Sequence, residues 1–285
     1  MKNRITNHLT FLKWDTKRQW TLYLGIVYIV LMCSITIWTW EIRKEEYFNV
    51  LNNLSQDQLY FLYSNNLIIS PLALFWKVTL TFTWISNFLM GFSIILFAIY
   101  PKNWKTQRLM HLNVSYISIT FLVFWGLIFL PAILQGNIAV DVLVSTTIVH
   151  FVTPALGMFI FIWNKKNINT SNKTIFFSSV AMILYYLFAL AVFLVGKDFD
   201  QYFIKFNSDG LYHSKVELSI YPFANFVEPL FYKGGNIFVI VTLDIAILLA
   251  LCSLSVFLAW FWQKVCKLPK ENPYTSNFLK NKINN

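Results

Sequence analysis

The chain is predicted to be an all-α integral membrane protein with six transmembrane helices and both termini in the cytoplasm. Three observations predict this. Six apolar stretches of about 21 to 26 residues, at about 1.5 Å rise per residue, are each long enough to cross a hydrocarbon core of about 30 Å. The composition is 57% hydrophobic, 19% aromatic and only 13% charged, with a mean hydropathy of +0.55, whereas soluble domains carry about 25% charged residues. Third, the charges divide by loop. Segments 1–19, 101–111, 164–173 and 263–285 hold sixteen of the 23 Lys and Arg but only two of the 13 acids, Asp15 and Glu271. That is the positive-inside bias. The net charge of +10 is therefore read as topology, in a multi-pass protein of the cell (plasma) membrane, and no nucleic-acid partner is expected.

The elements follow in order. Segment 1–19 is a basic flank containing Trp and Phe, suited to the membrane surface. The first span, Trp20–Trp40, exceeds a signal-peptide core and is followed by Glu41-Ile-Arg-Lys-Glu-Glu with no small-residue cleavage site, so it is a retained helix. The outer loop 41–77 carries an amphipathic stretch around Tyr47–Tyr63, and Pro71 opens a helix leading to the second span, Val78–Tyr100. The short loops 101–111 and 135–141 make spans two, three (Leu112–Leu134) and four (Val142–Trp163) sequential antiparallel neighbours. Span five is Thr174–Gly196. The outer loop 197–236 contains an aromatic, apolar segment from Tyr221 to Phe231 that is expected to fold back over the bundle. Span six is Ile237–Trp262, and 263–285 is a polar tail expected to be disordered. Trp20, Trp38, Trp40, Tyr100, Trp104, Trp163, Trp260 and Trp262 lie near span ends, where amphipathic rings favour the headgroup zone.

The spans carry few polar residues, and lipid leaves such groups unsatisfied unless they face protein or a water-filled cavity. In span two, Thr79, Thr83, Ser86 and Asn87 recur at helical spacing and form one stripe, which Met90 continues. Span four carries Thr146, Thr147, His150, Thr153, Pro154 and Gly157 on a similar stripe. Span six holds Asp244, the one acid inside a span. All three spans run inward, which puts Thr83 roughly 9 Å, His150 roughly 13 Å and Asp244 roughly 12 Å below the outer face. A hydroxyl, an imidazole and a carboxylate in one layer are the groups needed for a nucleophile, its base and an orienting partner. Pro154 lacks an N–H, so the His150 carbonyl loses its helix partner and a kink beside the imidazole is expected. Against this, Thr and Ser in membrane helices commonly do no more than bond backbone or a neighbouring helix.

Cys33, Cys252 and Cys266 have neither metal-ligand nor disulfide-framework spacing. There is no Gly-rich phosphate loop, H-E-x-x-H or G-x-S-x-G. No metal or organic cofactor is implied.

Several segments together resemble a known family. They are Phe82-Thr83-Trp84-Ile85-Ser86-Asn87-Phe88-Leu89 with the apolar run to Tyr100-Pro101; Phe121 to Pro131 around Trp125; His150-Phe-Val-Thr-Pro154 with Trp163 downstream; and Tyr221-Pro222-Phe223. In this order, over about residues 72–262, they resemble the androgen-induced, FAR-17a-like membrane proteins and their bacterial six-span relatives. The resemblance implies hydrolysis of fatty acyl esters by an intramembrane Thr nucleophile and a His, here Thr83 and His150. A shifted alignment of Trp76-Lys77-Val-Thr-Leu-Thr81-Phe with the animal pattern favours Thr81 instead. Thr83 is preferred because it needs no gap and lies on the stripe with Thr79 and Asn87.

The leading expectation is an intramembrane threonine-type hydrolase or acyltransferase acting on lipid esters. Membrane lipid and a fatty acyl ester are its partners, Ser86 or Asn87 is the oxyanion donor, and Asp244 orients the imidazole. The alternatives are a substrate-binding or transport subunit with the aromatic outer loop as a lid, and a non-catalytic membrane scaffold.

Overall fold

A computed structural model describes residues 13–129, 140–203, 219–221 and 224–269. Most of the N-terminal flank, the end of span three with most of the loop after it, residues 204–218 and 222–223 of the loop before span six, and most of the C-terminal tail lie outside them. The described residues are helical, without strands, and include six helices long and apolar enough to cross a membrane. The protein is an all-α, multi-pass membrane protein.

The chain forms two compact units, residues 1–171 with 262–285, and residues 172–261. In the first, α1 (Thr16–Asn52) opens with the Asp15 carboxylate accepting the Arg18 N–H. It runs twelve residues beyond the predicted span end at Trp40. A capping box, Ser55 with Gln58, starts α2 (Gln56–Ser64), and Ser70 with Pro71 at the first helical position starts α3 (Pro71–Thr79). The predicted second span is not continuous. α3 ends at Thr79 and α4 (Phe82–Ile99) begins after Thr81, whose backbone is extended at φ −72°, ψ 150°. At the break the hydroxyls turn back onto the backbone, Thr79 to the Phe75 carbonyl at 3.1 Å and Thr81 to the Val78 carbonyl at 3.0 Å. α5 (Trp104–Val123) continues as a π-helical turn, Phe124–Phe129. The fourth span is composite: α6 (Val140–Thr147), a second π turn (Ile148–Val152) and α7 (Thr153–Asn164).

α1 packs on α4, α4 on α5 and α5 on α7. Fully buried Tyr28, Met90, Met110, Ile117, Val149 and Phe161 form the centre of the core. Membrane helices approach closely through small residues. A Cβ on Gly25 would lie 3.2 Å from the Ile95 backbone nitrogen, and one on Gly157 would lie 2.7 Å from Ile117 Cδ1. Most predicted belt residues are exposed, including Trp20, Tyr100, Trp104 and Trp260, but Trp262 is buried. Its indole N–H found a partner inside, the Ser118 hydroxyl at 2.9 Å, and its ring edge meets Phe161.

The second unit contains α8 (Asn172–Gly196), α9 (Asp200–Phe203) and α10 (Ile237–Val265) as far as Phe261. Phe226, from the aromatic loop segment, packs against Tyr186 and Phe193 of α8. Leu184, Val195, Phe238 and Leu249 point outward, as helices in contact with lipid require.

Candidate active site

Thr83 is the second residue of α4, so the break after Thr79 sets its hydroxyl at a helix start. The Thr83 Oγ lies 3.3 Å from His150 Nε2. His150 Nδ1 lies 2.9 Å from the Thr146 carbonyl, one turn earlier. A carbonyl only accepts, so Nδ1 carries the proton and Nε2 presents its lone pair to the Thr83 hydroxyl. The imidazole is also stacked on buried Phe124, with centroids 4.4 Å apart and planes at 17°. Both rings stand on π turns, the single-turn insertions that re-aim side chains within a helix.

Pro154 shapes the turn under His150. The Thr153 N–H reaches back five residues to the Ile148 carbonyl. The Val149 carbonyl then accepts from Asn87 Nδ2 at 3.1 Å, and Thr153 Oγ1 lies 3.2 Å from it. Pro154→Ala restores an N–H for the His150 carbonyl, letting the turn relax to α-helix and rotating the imidazole away from Thr83. It is expected to lower any turnover at this site about tenfold or more without lowering the thermal unfolding midpoint; both are measured on the purified protein.

The other predicted site residues are used differently. Asn87 is fully engaged: Nδ2 donates to the Thr83 carbonyl (2.9 Å) and the Val149 carbonyl, and Oδ1 accepts from Tyr28 Oη (2.7 Å) and Thr153 Oγ1 (2.8 Å). Ser86 donates to the Thr83 carbonyl at 3.1 Å and meets Thr120 Oγ1 at 3.0 Å. Neither has a hydrogen left for an oxyanion in this arrangement; they hold the backbone of Thr83. Thr79 is cut off from the stripe by the helix break. Asp244 belongs to α10 in the second unit, where its backbone carbonyl accepts the Tyr186 hydroxyl at 3.1 Å. The orienting role assigned to its carboxylate falls to the Thr146 carbonyl.

In the first turn of α4 no side chain caps the helix, and the Thr83 and Trp84 N–H groups meet no acceptor among the described residues. Sequence reasoning missed these donors, Tyr28, Phe124 and the Thr146 carbonyl. It also missed a second His–Thr contact, His111 Nδ1 to Thr170 Oγ1 at 2.7 Å. There both residues are 0% exposed, so no substrate reaches them. His150 is half-buried.

Among the described residues no three His, Cys, Asp or Glu gather in a metal-binding group. Searches of protein-family models, of curated proteins and of solved structures find no match to this chain.

Proposed function

We propose that the protein is an intramembrane acyl-ester hydrolase or acyltransferase, with Thr83 as nucleophile and His150 as base. One observation carries the reading: a Thr hydroxyl directed at an imidazole nitrogen whose other nitrogen is fixed by a carbonyl, inside a membrane span. The resemblance to the FAR-17a-like family points to the same two residues.

In this mechanism Thr83 Oγ attacks the ester carbonyl carbon and its proton passes to His150 Nε2. The oxygen of the tetrahedral adduct takes up negative charge against the free N–H groups of Thr83 and Trp84, where the start of α4 favours an anion. The C–O bond to the leaving alcohol breaks and His150 returns the proton to that oxygen, leaving an acyl ester on Thr83. Water then attacks, again losing its proton to His150, which passes it to Thr83 Oγ as the bond between that oxygen and the acyl carbon breaks, and the carboxylic acid departs with Thr83 restored. A lipid hydroxyl in place of water makes the same chemistry an acyl transfer. Cytoplasmic termini and a plasma-membrane location, drawn from the charge bias, place the pair in the outer half of the bilayer.

Purified protein in lipid nanodiscs is expected to release free fatty acid from a long-chain acyl ester. Thr81→Ala is expected to keep most of that turnover, because the Thr81 hydroxyl is bound to the Val78 carbonyl and does not meet His150. No turnover by the wild type toward either water or an alcohol acceptor, or its loss in Thr81→Ala, contradicts the assignment.

A further inference from the structure

A cavity of about 380 Å³ opens at the end of the first unit where α1 and α5 begin and α4 and α7 end. Four basic side chains line it, Lys17, Arg18, Lys102 and Lys166, against one acid, Asp15. Two of these five charges are already engaged. Asp15 caps α1. Arg18 donates from Nε to the Ala98 carbonyl and from Nη2 to the Ile99 carbonyl, both at 2.6 Å, closing the end of α4, and its guanidinium lies 3.6 Å from the centre of the Trp14 ring. The three lysine ammonium groups make no ion pair or hydrogen bond among the described residues.

The walls are tied to one another. Gln107 donates to the Pro101 carbonyl at 2.7 Å and accepts from Asn169 twice at 3.1 Å. Asn164 donates to Thr21 at 3.1 Å and to the Ile160 carbonyl at 2.9 Å. A pre-formed concavity in which three lysines meet no acid among the described residues suits an anionic ligand. The size exceeds what a bare phosphate fills and suits a phosphate carrying a glycerol-sized polar group. Exposed Tyr100 and Trp104 at the same end mark the headgroup level.

We propose that this cavity binds a phosphate-bearing ligand through Lys17, Lys102 and Lys166, supplied as the headgroup of an anionic phospholipid or as a free phosphate compound. The assignment rests on the cavity alone and not on the ester-hydrolysis reading.

The test is native mass spectrometry of the full chain from a neutral detergent, titrated with phosphatidylglycerol, phosphatidylcholine or glycerol 3-phosphate. The wild type is expected to bind phosphatidylglycerol over phosphatidylcholine, and Lys17→Gln/Lys102→Gln/Lys166→Gln to bind it about tenfold more weakly or worse. Lys105→Gln/Lys165→Gln, which removes two charges at the same end but outside the cavity, is expected to stay within about twofold of the wild type. Single Lys102→Gln, the least intrusive change, is expected to weaken binding about threefold. Lysine-dependent binding of glycerol 3-phosphate without phosphatidylglycerol supports the proposal and names the free compound as the source. Equal binding by the triple variant, equal loss in the Lys105/Lys165 control, or no preference for phosphatidylglycerol over phosphatidylcholine together with no lysine-dependent binding of glycerol 3-phosphate overturns it.

Discussion

Replacing either Thr83 or His150 by alanine is expected to lower acyl-ester turnover about a thousandfold while the helices stay folded. Thr83→Ala removes the attacking oxygen. His150→Ala leaves that oxygen in place but strips it of the group that takes its proton, and no other base among the described residues meets it. His150→Gln separates chemistry from architecture. Its amide fills much of the ring's space and can bond Thr83, but it cannot accept a proton, so it is expected to be as inactive as alanine. A merely structural contact predicts the opposite, with glutamine close to wild type. The single Thr83–His150 contact is worth about 0.6 kcal/mol, the average for side-chain hydrogen bonds between membrane helices, so unfolding midpoints should barely move. Full turnover in His150→Gln removes the imidazole from the mechanism.

Asn87→Leu is expected to be the most destabilising change at the site, costing about 2–4 kcal/mol in reversible unfolding in mixed micelles. The amide joins three helices: Tyr28 from α1, Thr83 on its own α4, and Val149 with Thr153 around the π turn into α7. Leucine matches the volume but satisfies none of them. The Thr83 carbonyl keeps Ser86, and the Val149 carbonyl keeps Thr153. The Tyr28 hydroxyl loses its carboxamide acceptor and is left with the Thr153 side chain alone, in a residue that is 0% exposed. Tyr28→Phe alone should cost about 1 kcal/mol. Combining the two should cost less than their sum, because the phenylalanine leaves no orphaned hydroxyl opposite the leucine. An Asn87→Leu protein within about 0.5 kcal/mol of wild type, the range of ordinary surface changes, contradicts the hub.

The membrane spans were legible because hydrophobicity over twenty residues is a summed signal that no local detail cancels. Thr83 and His150 were legible for the complementary reason: a polar group in an apolar span must find a partner, and stripe and depth together left few choices. What stayed hidden was local or backbone-borne. That α3 ends at Thr79 and α4 starts at Phe82 is a backbone feature that spacing alone does not reveal. Pro154 announced a disturbed helix, but the relief it takes, a π turn sealed by Asn87, depends on a residue 67 positions away. Trp262 sits at a span end and reads as interfacial until Ser118 supplies a partner for its indole N–H. Tyr28 and Phe124 are aromatic residues among many, and carbonyls such as that of Thr146 occur at every position.

The nucleophile–base pairing of Thr83 and His150 is tested most directly by mapping a covalent adduct. Wild-type protein treated with a long-chain fluorophosphonate, digested and read by mass spectrometry, is predicted to carry one phosphonyl group on Thr83, none on Thr81, and none at all in His150→Ala. An unmodified wild type, or an adduct elsewhere that persists without His150, contradicts it.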